Sequence, residues 1–124
     1  MLNLYQEVLM DHYRNPRNCK ELEACSFTAE QRNSSCGDEV VFYGIVEQGC
    51  LVDVAFQGKG CVISQATASM LSERVKNMSF EAIKALDQSD INAMIGMTLG
   101  PVRMMCALLP LMALQKGMSN YSAQ

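Results

Sequence analysis

Histidine occurs once in this chain of 124 residues, at His12. A Cys/His nucleophilic enzyme would have to recruit that single ring, and no cysteine here sits in a recognisable active-site motif. Positive charge is also short: ten Lys and Arg against thirteen Asp and Glu give a formal net charge of -3 and a pI near 5.0. A phosphate-backbone partner normally requires a basic face, so nucleic acid is excluded as a partner. No apolar stretch reaches about 18 residues, which leaves no transmembrane helix and no membrane partner to expect. The opening Met1-Leu2-Asn3-Leu4-Tyr5-Gln6-Glu7 lacks the basic flank and continuous apolar run of a signal peptide, so the expected compartment is the cytoplasm. Low-complexity tracts, internal repeats and linkers are absent.

Six cysteines remain to be explained. Without an export signal they are expected to be reduced thiols, which bind metal, rather than three disulfides. Their spacing rules out a zinc finger. Cys61 comes 25 positions after Cys36, and Cys106 comes 45 after Cys61, so any site they share must be assembled by the tertiary fold. Those three have distinctive surroundings: Ser35-Cys36-Gly37-Asp38, Gly58-Lys59-Gly60-Cys61-Val62-Ile63-Ser64, and Arg103-Met104-Met105-Cys106. Glycine frees the backbone to bring sulfur close to an ion, and a basic residue favours the thiolate. With Asp38, two positions after Cys36, they make a candidate four-ligand set for a metal or cluster. Cys19, Cys25 and Cys50 lack such contexts and are read as bystanders that behave as small hydrophobes.

The chain is 49% hydrophobic, enough for one core and one domain spanning 1–124. Residues 2–13 place Leu4, Val8 and Leu9 at helical spacing before Asn15-Pro16-Arg17-Asn18 stops the helix. The signal over 23–32 is weak, and 33–37 reads as an exposed loop. Residues 39–47 predict a strand, Gln48-Gly49 a turn, and Val52, Val54 and Phe56, alternating with Asp53, Ala55 and Gln57, an antiparallel partner that Gly58-Lys59-Gly60 ends. Helices follow over roughly 61–76, 79–86, 88–96 and 102–116, with Ser79 and Ser89 as N-caps. Strands first and helices later predict an α+β domain in which helices cover one face of a small antiparallel sheet. Cys61 then falls at a helix N-terminus, where unpaired N–H groups and the dipole favour a thiolate.

Competing readings of single residues are weaker. Ten methionines invite a copper site, but they lie on apolar helical stretches and read as core filler. His12 reads as a surface or capping group. Arg103 is a solvated helix charge or, three residues before Cys106 on the same helical face, a partner for Asp38 or the thiolate.

Taken together these segments resemble the IscU/SufU/NifU N-terminal family of iron-sulfur cluster assembly scaffolds, along nearly the whole chain. The opening Leu4-Tyr5-Gln6-Glu7-Val8-Leu9-Met10-Asp11-His12-Tyr13-Arg14-Asn15-Pro16-Arg17-Asn18 is similar to the family's N-terminal segment. Cys36-Gly37-Asp38 and Gly58-Lys59-Gly60-Cys61-Val62-Ile63-Ser64-Gln65-Ala66 are similar to its first two ligand loops, and Cys106 to the third ligand. The resemblance implies a three-stranded antiparallel sheet packed against helices, with Cys36, Asp38, Cys61 and Cys106 holding iron, a [2Fe-2S] cluster or zinc. IscU and NifU proteins carry a histidine before the third cysteine where this chain has Met105. SufU proteins usually carry lysine there and have a tail like Arg103 to Gly117, but also an insertion between the second and third cysteines that this chain lacks. Leu99-Gly100-Pro101-Val102-Arg103 stands where IscU has Leu-Pro-Pro-Val-Lys, which argues against delivery through a dedicated Hsp70-type chaperone.

The expected function is therefore a scaffold, not an enzyme in the turnover sense. It accepts sulfur from a cysteine desulfurase, with Cys36 on the loop as first sulfur acceptor, assembles a [2Fe-2S] cluster and passes it to acceptor proteins. The alternative is a SufU-like zinc-dependent sulfur acceptor and transfer protein.

Overall fold

In the computed structural model, residues 3–35 and 37–122 are described. Their element order is α1 (Leu4–Arg14), β1 (Phe27–Asn33), β2 (Asp38–Glu47), β3 (Cys50–Lys59), α2 (Val62–Val75), α3 (Phe80–Lys84), α4 (Gln88–Ile95) and α5 (Pro101–Ser122). The strands form one antiparallel meander in the order β1-β2-β3, and α2 and α5 pack on one face of it. This is the α+β architecture read from the sequence. β1 is the strand that the weak signal over 23–32 concealed, because its outward residues Thr28, Glu30 and Arg32 are polar and its inward ones are only Phe27 and Ala29.

Strand periodicity decides what faces the helices. Along β2 every second residue is buried, and Asp38, Val40, Phe42 and Gly44 share that inward face. Phe42 pairs directly with Phe56 across the strands, their ring centroids 6.0 Å apart. On β3 the sequence-based alternation breaks: register slips between Ile45 and Val46, leaving Val52 as the extra residue of a bulge. The inward residue is consequently Leu51, fully buried, in place of Val52.

Helix α2 runs through the middle of the molecule. Its first three turns are lined with small residues, Ser64, Ala66, Thr67, Ala68 and Ser69, all fully buried, so that α1, α5 and the sheet approach it closely. Helix α5 packs along β1, and a Cβ at Gly117 would lie 2.5 Å from the Phe27 ring. That close approach explains why Gly117 does not end the helix, which continues to Ser122, six residues past the expected end. Two further ends differ from expectation. α3 is only five residues long. The N-cap of α4 is Asp87, whose carboxylate accepts from the N–H groups of Ser89 and Asp90, while Ser89 lies within the first turn and donates its hydroxyl to Asp87. Ser79 does cap α3, accepting from Ala82 N–H.

The N-terminal segment is a buttress for α2. Asn3 and Gln6 form a capping box at the start of α1. The helix buries Leu9 and His12, while Leu4 and Val8, expected on the packed stripe, are exposed. His12 is not the surface group its isolation suggested. Its Nδ1 lies 2.7 Å from Ser69 Oγ, which also accepts the Arg17 N–H at 2.9 Å. The Ser69 hydroxyl thus joins His12 to the Arg17 backbone, and the His12 Nε2 faces Glu73 at 3.6 Å. Asn18 donates to Ser72 Oγ, and its carbonyl accepts the Phe56 N–H, so the Asn-Pro-Arg-Asn segment ties α1 to both α2 and β3.

Burial first, then the Arg17 charge, depresses the His12 pKa below its ordinary value near 6.5; Glu73 and Asp11 oppose the shift. A base whose folded pKa is depressed is protonated preferentially in the unfolded chain. Its contribution to stability is complete above about pH 6.5 and is lost as pH falls through the folded pKa. Between about pH 6.5 and 5 the native chain should therefore lose stability more steeply than His12→Gln, measured by urea denaturation. Parallel slopes for the two proteins would show that His12 does not titrate on unfolding.

Candidate metal centre

The fold brings three of the four candidate ligands together. Asp38, Cys61 and Cys106 each offer one ligand atom, and these atoms lie within 4.8 Å of one another. Each arrives by a different local rule. Asp38 is the first residue of β2, and its parity with Val40 and Phe42 points it under the helices, where it is 1% exposed. It is thus a buried strand residue, where a loop position was expected. Cys61 is the N-cap of α2, and its sulfur accepts the Ser64 N–H at 3.5 Å, the place usually taken by a Ser or Asp oxygen. Cys106 is buried on α5, where that helix crosses the same end of the sheet.

One pair of contacts locks the centre. The Cys61 N–H donates to Asp38 Oδ1 at 2.9 Å, and the Cys61 thiol donates to Oδ2 at 3.2 Å. Gly60 makes this possible: it adopts φ +137°, and a Cβ there would meet the Asp38 carboxylate, with Cγ at 2.6 Å. A second relay holds the α2 end against the strand. Gln65 donates through Nε2 to the Glu39 carbonyl at 3.3 Å and to Ser64 Oγ at 3.0 Å, and Ser64 Oγ donates to the Cys61 carbonyl at 3.3 Å. Sequence reading passed over Ser64 and Gln65 as parts of a motif; a buried serine one turn after a cysteine N-cap was the available signal.

Beside the thiols opens a cavity of about 510 Å³, walled by Leu9 and Met10 of α1, Ile63 of α2, Met97 and Arg103. Arg103 stands exposed at this cavity, on the turn of α5 before Cys106, and makes no ion pair among the described residues. Met105, expected as core filler, is 57% exposed and lies beside Ser34 and Ser35. Cys36 lies outside the described residues. Its neighbours belong to the short connection between β1 and β2, where Gly37 takes a positive φ and its N–H bonds the Asn33 carbonyl. The remaining cysteines are placed elsewhere. Cys50 begins β3 at the hairpin end, about 30 Å along the strand from Lys59 at about 3.3 Å per residue. The Cys25 sulfur lies 3.4 Å from the Thr28 hydroxyl, and Cys19 is exposed, its backbone bridged to Phe56.

The donor set suits a thiophilic ion. Tetrahedral coordination with metal–sulfur bonds of about 2.3 Å puts ligand atoms roughly 3.8 Å apart, so the observed triangle closes on an ion with shifts of less than about 1 Å. Two soft sulfurs with one hard oxygen match zinc or iron better than the oxygen-loving divalent cations.

With the fold and this centre in place, family membership follows. The chain belongs to the NifU-like N terminal domain family, whose model matches residues 4–124. It is 33% identical to the zinc-dependent sulfurtransferase SufU of Bacillus subtilis (strain 168), across 94% of this chain and 90% of that protein. To the iron-sulfur cluster assembly scaffold protein IscU of Haemophilus influenzae it is 30% identical, across 97% of each. A crystal structure assigned to a SUF-system iron-sulfur cluster assembly scaffold from Fervidobacterium islandicum AW-1 superposes with a TM-score of 0.75 at 28% identity, covering 90% of this chain and 94% of that one. The N-terminal NifU-like protein of Brucella abortus shares the fold, with a TM-score of 0.81 at 18% identity, over 98% of this chain and 96% of that one.

Gly60→Ala should disrupt the centre, because the added methyl displaces the Asp38 carboxylate and φ is unfavourable for alanine. The expected outcome is a loss of stability of about 1–3 kcal/mol, together with loss of bound zinc in elemental analysis. Retention of zinc at the native stoichiometry would show that the Asp38 position is not needed.

Proposed function

We propose that this protein is an iron-sulfur cluster assembly scaffold, a single domain spanning 1–124 that builds a [2Fe-2S] cluster on Cys36, Asp38, Cys61 and Cys106 and gives it to acceptor proteins. The observation that carries this reading is the convergence of Asp38, Cys61 and Cys106 on one point, with the carboxylate buried and oriented by the Cys61 backbone. A cargo site must hold firmly enough to build and loosely enough to release. Thiolates hold iron and sulfide, while a hard carboxylate forms the more exchangeable bond, which an acceptor's thiol displaces. The orientation of Asp38 suits that role. The backbone N–H of Cys61 engages Oδ1 and leaves Oδ2 toward the sulfurs, so the carboxylate offers one oxygen without needing to reorganise.

Sulfur arrives from a cysteine desulfurase. Cys36, in the connection between β1 and β2, is assigned as first acceptor, because a loop approaches a donor persulfide in line with its S–S bond while Cys61 and Cys106 are tied to helices. Arg103 is assigned an auxiliary part, drawing the anionic sulfur toward the cavity it borders. Among the described residues no helix is long and apolar enough to cross a membrane.

A second reading is favoured by the likeness to the Bacillus protein and by Met105 in place of histidine: the same residues hold zinc, and the protein passes sulfur on without building a cluster. Anaerobic purification followed by iron, zinc and acid-labile sulfide determination separates the two. Iron with equimolar sulfide is expected; zinc alone, with activation of a cysteine desulfurase, would replace the first reading by the second.

Asp38→Ala tests the exchangeable-ligand argument within the first reading. Cluster transfer to an apo-acceptor, followed by visible absorption and circular dichroism, should slow about tenfold while assembly proceeds. Transfer at the native rate or faster would contradict the role given to the carboxylate.

A further inference from the structure

Two prolines lie in α5, and their positions have opposite consequences. Pro101 is the first residue of the helix, where the missing N–H would have had no intrahelical partner. Pro110 is in the interior, four residues after Cys106. The ladder bond onto the Cys106 carbonyl belongs to residue 110, so the one rung that would brace the Cys106 turn is the one proline cannot form, and the ring crowds that same carbonyl.

On either side of this missing rung the helix is held very differently. Beyond it, Gln115 Nε2 donates to the carbonyls of Ile83 and Leu86, Lys116 Nζ donates to the Glu30 carbonyl, Gly117 lies against Phe27, and Leu111, Leu114 and Met118 are buried. Before it, Met104, Cys106, Ala107 and Leu109 are buried, but Pro101, Val102, Arg103 and Met105 are exposed, and among the described residues no side chain from 101 to 105 makes a hydrogen bond or ion pair to another element. Cys106 therefore lies between that unpinned first turn and the joint.

We propose that Pro110 is a positioning residue for Cys106, dividing α5 into an anchored half and a half that swings, so that the Cys106 sulfur withdraws from Asp38 and Cys61 when cargo is released. This rests on Cys106 being a ligand, as argued above. The role separates retention from release: burial of Cys106 places the sulfur, and the absent rung lowers the barrier to displacing it.

The test uses the zinc-loaded full chain and two single variants, Pro110→Ala, which restores the rung, and Pro101→Ala, which changes a proline where no rung is missing. Zinc transfer to a chromogenic chelator should slow about tenfold in Pro110→Ala and stay at the native rate in Pro101→Ala. Hydrogen exchange at the amides of Ala107, Leu108 and Leu109 should slow selectively in Pro110→Ala. In the native chain these amides should exchange faster than those of residues 113–118, a measurement that holds even if a variant folds poorly. Unchanged zinc release in Pro110→Ala, or extra protection spread evenly over the chain, would overturn the proposal. Cobalt(II) substitution of Cys106→Ser separates this failure from failure of the site: thiolate-to-cobalt absorption weakened by about a third keeps Cys106 as a ligand, and unchanged absorption removes both the ligand assignment and the role of Pro110.

Discussion

The hydrogen bond from the Cys61 backbone to the Asp38 carboxylate is the constraint around which this end of the molecule is built. A buried carboxylate without partners costs several kcal/mol, so the fold must deliver donors to it or leave it protonated. It delivers them by ending β3 with a glycine whose bare Cα lets the chain turn over the carboxylate, and by starting α2 immediately afterwards. The same N-terminal turn supplies the sulfur that stands next to Asp38 and binds that sulfur to the Ser64 N–H. Three requirements, solvation of a carboxylate, capping of a helix and placement of a thiol, are met by the two residues Gly60 and Cys61.

The rest of the architecture keeps that turn in place. Strand parity commits Asp38 to the helix-facing side because Val40 and Phe42 belong to the core. Small buried residues along α2 allow close packing on three sides, and the His12, Ser69, Arg17 and Ser72 network fastens α2 to the N-terminal segment. Helix α5 closes the site from above with Cys106, and its distal half is pinned to β1 and to the α3–α4 region. Shape and chemistry are coupled at the site. A carboxylate fixed by the Cys61 backbone and a helix N-terminus face Cys106, which stands four residues before the proline inside α5.

Much of this was legible in the chain. Alternation over 39–47 and the helical periodicities after Gly60 place most elements, and Gly58-Lys59-Gly60-Cys61 marks the turn that carries Cys61 to Asp38. What stayed hidden has physical reasons. β1 presents polar residues outward and little bulk inward, so its pattern is faint. The bulge at Val52 exchanges Leu51 for Val52 on the core face, and no local signal announces it. His12 looked like a surface group because its partner Ser69 lies 57 positions away, and a long-range hydrogen bond leaves no trace in local spacing. Ser89 resembled an N-cap because Asp87, two positions earlier, was an equally good candidate and accepts two N–H groups where serine would accept one.

The central claim is that a carboxylate oxygen and cysteine sulfurs bind the same ion. X-ray absorption at the zinc K-edge of the zinc-loaded protein measures this directly. The account predicts three sulfur scatterers near 2.3 Å and one oxygen near 2.0 Å, with the oxygen shell changed in Asp38→Ala. Four sulfur scatterers, or an oxygen shell that Asp38→Ala leaves unchanged, would contradict it.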